Sequence, residues 1–249
     1  MARVVWRDLG LVPYDEALEL QRELAKAKRE GIVRDDILLL LEHPPVITRG
    51  RSASVAHLVT DKSTLDDHGV SVHEIERGGD VTYHGPGQLV GYPIFDLRRF
   101  REDLHWYLRS LEEVLILTLG SLDVGAARAE GLTGVWVGPG VDERELGPDR
   151  SIDADSAPEM MRSGHIRKIA SIGVHASRWI TKHGFALNHG AEALEGFEWI
   201  VPCGLDGVTV TSLESEGCRI TMDELKRRIV RGFESVFEVT IRASDADEI

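Results

Sequence analysis

The chain has 249 residues, 42% of them apolar and 29% charged, and carries a formal net charge of −13 at neutral pH. This length suits one α/β domain or two small ones with a sizeable core, and the composition is that of an ordinary globular protein. The acidic balance argues against nucleic acid as a partner, no apolar run approaches the ~20 residues of a membrane span, and two cysteines, Cys203 and Cys218, are too few for a disulfide framework.

In chain order, Val4-Val5-Trp6 reads as a first strand. Asp15 to Glu30 sets Leu18, Leu20, Leu24, Ala25 and Ala27 among charges, with Gly31 behind as a C-cap, the pattern of an amphipathic helix. Asp36 to Glu42 holds a continuous apolar run, Ile37 to Leu41, suited to a buried strand, and His43-Pro44-Pro45 ends it. From Leu97 to Leu119, Phe100, Leu104, Leu108, Leu111 and Leu115 recur at helical spacing, which predicts a long core helix. Gly134 to Gly138, Ile169 to Val174 and Val208 to Leu213 read as further strands. Thr221-Met222-Asp223-Glu224 fits a capping box that opens a C-terminal helix with Leu225, Ile229, Phe233 and Phe237 on one face.

Residues 139–164 stand apart. They mix prolines and glycines with Asp142, Glu143, Glu145, Asp149, Asp153 and Asp155 and show neither period, so an exposed, flexible insertion is expected, either a lid or a spacer. Residues 1–243 read as one domain and 244–249 as an acidic tail. Met1 to Gly10 lacks the basic and then apolar stretches of a secretory signal, so a cytoplasmic location with two free thiols is expected.

The densest information lies in Arg77 to Pro93, R-G-G-D-V-T-Y-H-G-P-G-Q-L-V-G-Y-P. Glycine at this density is costly in a strand, so the backbone needs unusual torsions or close approach by a ligand; a glycine-rich hairpin is the plain alternative. Gly85-Pro86-Gly87 lacks dinucleotide-loop spacing, no Walker A sequence occurs, and the histidines, including His175, His183 and His189, have no metal-ligand spacing. Cys203 sits between Pro202 and Gly204, which favours a turn with exposed backbone. A free thiol ionises near pH ~8.5, so a few per cent is thiolate at neutral pH. A lysine ammonium ~4 Å away favours the thiolate by on the order of 4 kcal/mol at an effective dielectric of ~20, before desolvation takes some back. The alternatives are an inert Cys203 and a solvated Lys168. No convincing Cys-His-Asp arrangement is evident, which disfavours a cysteine hydrolase.

Four segments in order resemble the octanoyltransferases of lipoate synthesis, which share a catalytic domain with the lipoate and biotin protein ligases. They are Thr48-Arg49-Gly50-Arg51, the Arg77 to Pro93 stretch, Arg167-Lys168-Ile169-Ala170-Ser171-Ile172-Gly173-Val174 and Val201-Pro202-Cys203-Gly204-Leu205, and the resemblance spans Leu38 to Leu213. It implies an α/β (α+β) fold, a single catalytic domain with a mixed central sheet flanked by helices. It implies transfer of an octanoyl group from octanoyl-acyl carrier protein to the acceptor lysine of lipoyl domains, those of 2-oxoacid dehydrogenase complexes and of the glycine cleavage H protein. It makes Cys203 the acyl-thioester nucleophile and Lys168 the group that stabilises its thiolate and takes the proton from the incoming amine. It assigns acyl contacts to Arg77, Gly78, Gly79, Asp80, Val81, Thr82, Tyr83 and His84, to Ser171, Ile172 and Gly173, and to Gly184, Phe185 and Ala186. Six or seven buried methylenes at ~0.8 kcal/mol each give such a slot roughly 5 kcal/mol. Backbone amides near Cys203 or Gly87 are the candidate oxyanion donors. Neither a cofactor nor a metal is implied, and neither membrane nor nucleic acid is a partner. An ATP-dependent ligase needs no nucleophilic cysteine, and a binder without activity needs neither Cys203 nor Lys168. Carrier proteins and lipoyl domains are acidic, so an acidic enzyme calls for a basic mouth, which Arg49, Arg51, Arg77, Arg162, Arg167, Lys168, Arg178 and Lys182 could supply.

Overall fold

The apolar run that begins at Ile37 becomes a strand buried on both faces, and the rest of the architecture is built outward from it. The computed structural model describes residues 3–141 and 149–244. In chain order the strands are β1 (Arg3–Leu11), β2 (Asp36–Glu42), β3 (Val46–Arg49), β4 (Ser71–Glu74), β5 (Val81–His84), β6 (Gln88–Ile94), β7 (Ala126–Ala129), β8 (Leu132–Val137), β9 (Ser151–Ile152), β10 (Arg167–Ser177), β11 (Ile180–Asn188) and β12 (Thr240–Ala243). The helices are α1 (Tyr14–Arg29), α2 (Lys62–Asp67), α3 (Leu104–Gly120), α4 (Ala157–Arg162) and α5 (Met222–Phe237).

Among the described residues the strands form a large mixed sheet, ordered β12-β1-β2-β6-β11-β10-β8-β7-β9, and a small one, β4-β3-β5. Leu38 and Leu40 of β2 face a core shared with α3 and α5, while Ile37, Leu39 and Leu41 face Ala17, Leu24 and Ala25 of α1 on the other side. Helices therefore cover both faces, as the expected α/β class requires. No helix among the described residues is long and apolar enough to cross a membrane.

Three expectations change. The helix predicted from Leu97 starts at Leu104: Leu97–Arg99 is a separate 3-10 turn, and the Asp103 carboxylate caps α3 by accepting from Trp106 N at 3.0 Å. Val208 to Leu213 is no ladder strand, since only Val210 bridges β10, in parallel with Lys168. In the expected insertion, residues 142–148 lie outside the described residues, but 149–164 contain β9 and α4. Ile152, Ala157 and Met161 are buried there with Ala127, Ala129 and Trp136, so this part is a packed flap against β7 and β8. The Thr221 capping box forms as read, with its hydroxyl accepting from Glu224 N at 3.2 Å.

Candidate active site

The Arg77 to Asp80 loop is laid across the large sheet by backbone hydrogen bonds. Gly78 N donates to Val174 O of β10 at 2.9 Å, and on the loop's other side Gly50 N, Arg51 N and Ser52 N donate to the carbonyls of Asp80, Arg77 and Gly79. The upstream Thr48 to Arg51 motif is thus the loop's docking partner. Arg77 is buried, and its guanidinium donates to Thr48 O at 2.7 Å, to Thr48 Oγ1 and to Gly78 O. Burial depresses its ionisation, and the Asp80 carboxylate is among the groups that oppose that.

Lys168 lies on β10 where the pairing with β8 shifts register, and its backbone is held from the other side by Thr209 O and Thr211 N. The side chain is 2% exposed. Its ammonium donates to Thr133 O at 2.9 Å and to Cys203 Sγ at 3.1 Å, and it lies 5.3 Å from the Trp136 ring centroid. Gly134 makes room for it, because a Cβ there would stand 2.7 Å from Lys168 Cε.

Cys203 occupies the left-handed region at φ 57°, in a 3-10 turn spanning Pro202–Gly204. For a residue with a side chain this conformation costs about 1 kcal/mol, and the surroundings hold it in place. Val201 N donates to His57 O at 2.8 Å, Gly204 N to Val201 O at 3.0 Å and Leu205 N to Pro202 O at 3.1 Å. The thiol sits at the wall of a cavity of about 340 Å³. Lys168 and Val174, six positions apart on β10, both line it, so it runs roughly 20 Å along the strand.

The cavity brings together Cys203 and Lys168 with Arg77, Gly78, Gly79, Asp80, Val81, Thr82, His84, Ser171, Ile172, Gly173, Gly184, Phe185 and Ala186. Tyr83 is the exception. Its ring packs edge-on to Phe197 at 5.8 Å and to Trp199 in a separate apolar cluster, outside the cavity lining. Reading motifs alone missed Tyr14, Tyr92, Leu104, Leu108, His183 and Leu205 on the same walls. Leu104 and Leu108 carried a helical signal, but the spacing that marks them as apolar does not say that the surface they cover is a cavity.

His84 and His183 line the cavity, and the His43 ring packs against His84 at 5.8 Å between centroids. His84 Nδ1 meets Gln88 Oε1 at 2.7 Å, and burial lowers its pKa to about 3. Burial likewise lowers His183 to about 3 and His43, bonded to the Tyr92 hydroxyl at 2.8 Å, to about 4. His183 Nε2 is buried without a hydrogen-bond partner.

The structure bears on two points that the sequence leaves open, the oxyanion donor and the basic mouth. Gly87 N donates to Glu42 Oε2 at 2.9 Å and is no oxyanion donor. Most of the cations expected to make a basic mouth are neutralised within the chain or buried. Arg49 pairs with Glu74, Arg162 with Glu159, Arg167 with Glu216 and Lys182 with Glu76, while Arg77 and Lys168 are buried. A Cys-His-Asp grouping, not evident from the sequence, is also present. His57 Nδ1 meets Asp80 Oδ2 at 2.8 Å beside the Cys203 turn, and 23 residues of separation left no local signal for that pairing.

Comparison with known proteins gives the family and the fold. The family model of the lipoyl protein ligase A/B catalytic domain matches residues 13–234. The chain is 44% identical to an octanoyltransferase of Solibacter usitatus, covering 93% of this chain and 92% of that one. It is 43% identical to an octanoyltransferase of Synechocystis sp., covering 93% and 88%. A bi-partite lipoate protein ligase from Thermoplasma acidophilum shares the fold at a TM-score of 0.69 and 16% identity, covering 99% of this chain and 88% of that one. The chain belongs to the lipoyl protein ligase A/B catalytic domain family.

Proposed function

We propose that this chain is an octanoyltransferase of lipoate synthesis that moves an octanoyl group from octanoyl-acyl carrier protein to the acceptor lysine of a lipoyl domain, through a thioester on Cys203. The observation that carries the reading is the 3.1 Å contact of the Lys168 ammonium with the Cys203 thiol at the wall of an elongated cavity. The names of the curated relatives support the transferase reading. Residues 1–243 act as one catalytic domain, and Leu104, Leu108, Ile172 and Phe185 give the acyl chain apolar contact. The acceptors are lipoyl domains of 2-oxoacid dehydrogenase complexes and the glycine cleavage H protein.

In the first half-reaction the Cys203 sulfur attacks the carrier thioester, the C–S bond to the carrier breaks, and Lys168 gives its proton to the departing carrier thiolate. The charges balance, because a thiolate and an ammonium become a thioester and a neutral amine. In the second, the acceptor amine attacks the Cys203 thioester, Lys168 recovers a proton from the new C–N centre, and the Cys203 thiolate leaves beside the restored ammonium. The donor thioester is already activated, so ATP has no part in the balance.

The test is intact-protein mass after incubation with octanoyl-acyl carrier protein in the absence of ATP. An octanoyl adduct labile to hydroxylamine on the wild type, and none on Cys203→Ser, is the expected result. A wild type that stays unmodified while the carrier stays loaded would remove the covalent mechanism.

A further inference from the structure

Transfer to a lysine sets a proton problem that Lys168 alone does not solve. A lysine side chain ionises near ~10.4, so at neutral pH the acceptor arrives as an ammonium. It has two protons to lose, one to free the attacking lone pair and one after the C–N bond forms. In the reading above, Lys168 is neutral during this step and takes only one.

We propose that His57, steadied by Asp80, is the second base, taking the acceptor's first proton. This rests on the octanoyltransferase reading. The imidazole is fixed beside the nucleophile twice over: its backbone carbonyl holds Val201 N at 2.8 Å, and its Nδ1 meets Asp80 Oδ2 at 2.8 Å. Gly204, next in sequence to Cys203, is at φ +66°, and a Cβ there would lie 2.8 Å from His57 Cε1 and 2.6 Å from Asp80 Oδ2. The ring therefore lies against the turn that presents Cys203, and only a glycine admits it so closely. Asp80 lines the cavity, and its other carboxylate oxygen accepts Val81 N at 2.7 Å, which fixes the carboxylate. The His57 side chain is 28% exposed against 11% for Asp80, so a proton taken by the ring has a way out to water.

With Nδ1–H donated to Asp80, Nε2 is the accepting atom, and the carboxylate stabilises the imidazolium that forms. Charged groups near the pair include Lys168, bonded to Cys203, and Arg77, which feels Asp80. The step balances: acyl-Cys203, acceptor ammonium, neutral Lys168 and neutral His57 become amide, Cys203 thiolate, Lys168 ammonium and His57 imidazolium, with one net positive charge on each side. The imidazolium then releases its proton to solvent.

The two half-reactions separate this role from the underlying reading. Wild type, His57→Ala and Asp80→Asn are loaded with octanoyl-acyl carrier protein, and the rate of adduct formation is followed by mass. Each acyl-enzyme is then chased with a lipoyl domain from pH 6.5 to 9.5, and in parallel with hydroxylamine, a nucleophile uncharged at neutral pH. Loading of His57→Ala within a few fold of wild type is expected, with kcat for the lipoyl domain down about 100-fold at pH 7. That deficit narrows as rising pH deprotonates the acceptor by itself, hydroxylamine reacts at the wild-type rate, and added imidazole restores part of the loss. Asp80→Asn falls between the two. Equal losses in loading and transfer, a loss confined to KM, an equal deficit with hydroxylamine, or no loss at all would each overturn the proposal. Failure of the wild type to load would instead defeat the octanoyltransferase reading on which it rests.

Discussion

Replacing Lys168 with methionine removes a charge while keeping an unbranched apolar stem in a site that is 2% exposed. At the observed 3.1 Å between Nζ and Sγ, the attraction between ammonium and thiolate is about 5 kcal/mol at an effective dielectric of ~20. Desolvation of a buried ion takes back a large share, and we take half. Carried into the barrier for attack by the sulfur, the remaining ~2.5 kcal/mol corresponds to a factor of about 70 in rate. Pseudo-first-order alkylation of Cys203 by iodoacetamide at pH 7, read as mass per site so that Cys218 is counted separately, should therefore slow by 10- to 100-fold in Lys168→Met. Octanoyl loading should fall at least as far, since Lys168 also protonates the departing carrier thiolate. The hydrogen bond to Thr133 O is lost as well, at a cost of about 1 kcal/mol, so the variant stays folded. Alkylation within twofold of wild type, in a variant of unchanged Tm, would refute the claim that Lys168 activates the thiol.

Acid should weaken the fold earlier than carboxylate titration alone would. His43, His84 and His183 are held neutral by burial at about 4, 3 and 3, below the ordinary 6.5. The unfolded chain takes up protons that the fold refuses, so this stability is complete above about pH 6.5 and is lost as pH falls toward 3 to 4, by up to ~1.4 kcal/mol per pH unit for each ring. Urea midpoints should drop steadily from pH 7 to 5, and a flat profile there would contradict neutral burial. Leu108→Trp should fill part of the cavity that Leu108 lines and displace two or three methylenes worth ~0.8 kcal/mol each, slowing octanoyl loading about 30-fold while hexanoyl-acyl carrier protein loads almost normally; equal slowing of both donors would place the acyl chain elsewhere. Thr221→Ala removes the cap on α5 and should lower Tm by about 2–4 °C without changing octanoyl loading; a loss of loading at full stability would tie α5 to the site.

The sequence by itself determined most of the secondary structure that local rules govern. A five-residue apolar run made β2, and a threonine three residues before a glutamate capped α5, because both signals act within one element. It also marked Cys203, Lys168 and the Arg77 to His84 loop, through the resemblance of ordered motifs to those of a known family. Tertiary structure decided what depends on elements meeting. It brought Lys168 within 3.1 Å of a thiol 35 residues away, set His57 against Asp80 across 23, and turned Tyr83 out of a cavity that its neighbours line. It also folded residues 149–164 into a strand and helix where no period was visible, because Ile152, Ala157 and Met161 are ordered by burial against β7 and β8 rather than by their own propensities. A chain of alternating polar and apolar residues states which surfaces avoid water, while the partner that covers each surface is chosen only when distant strands and loops pack.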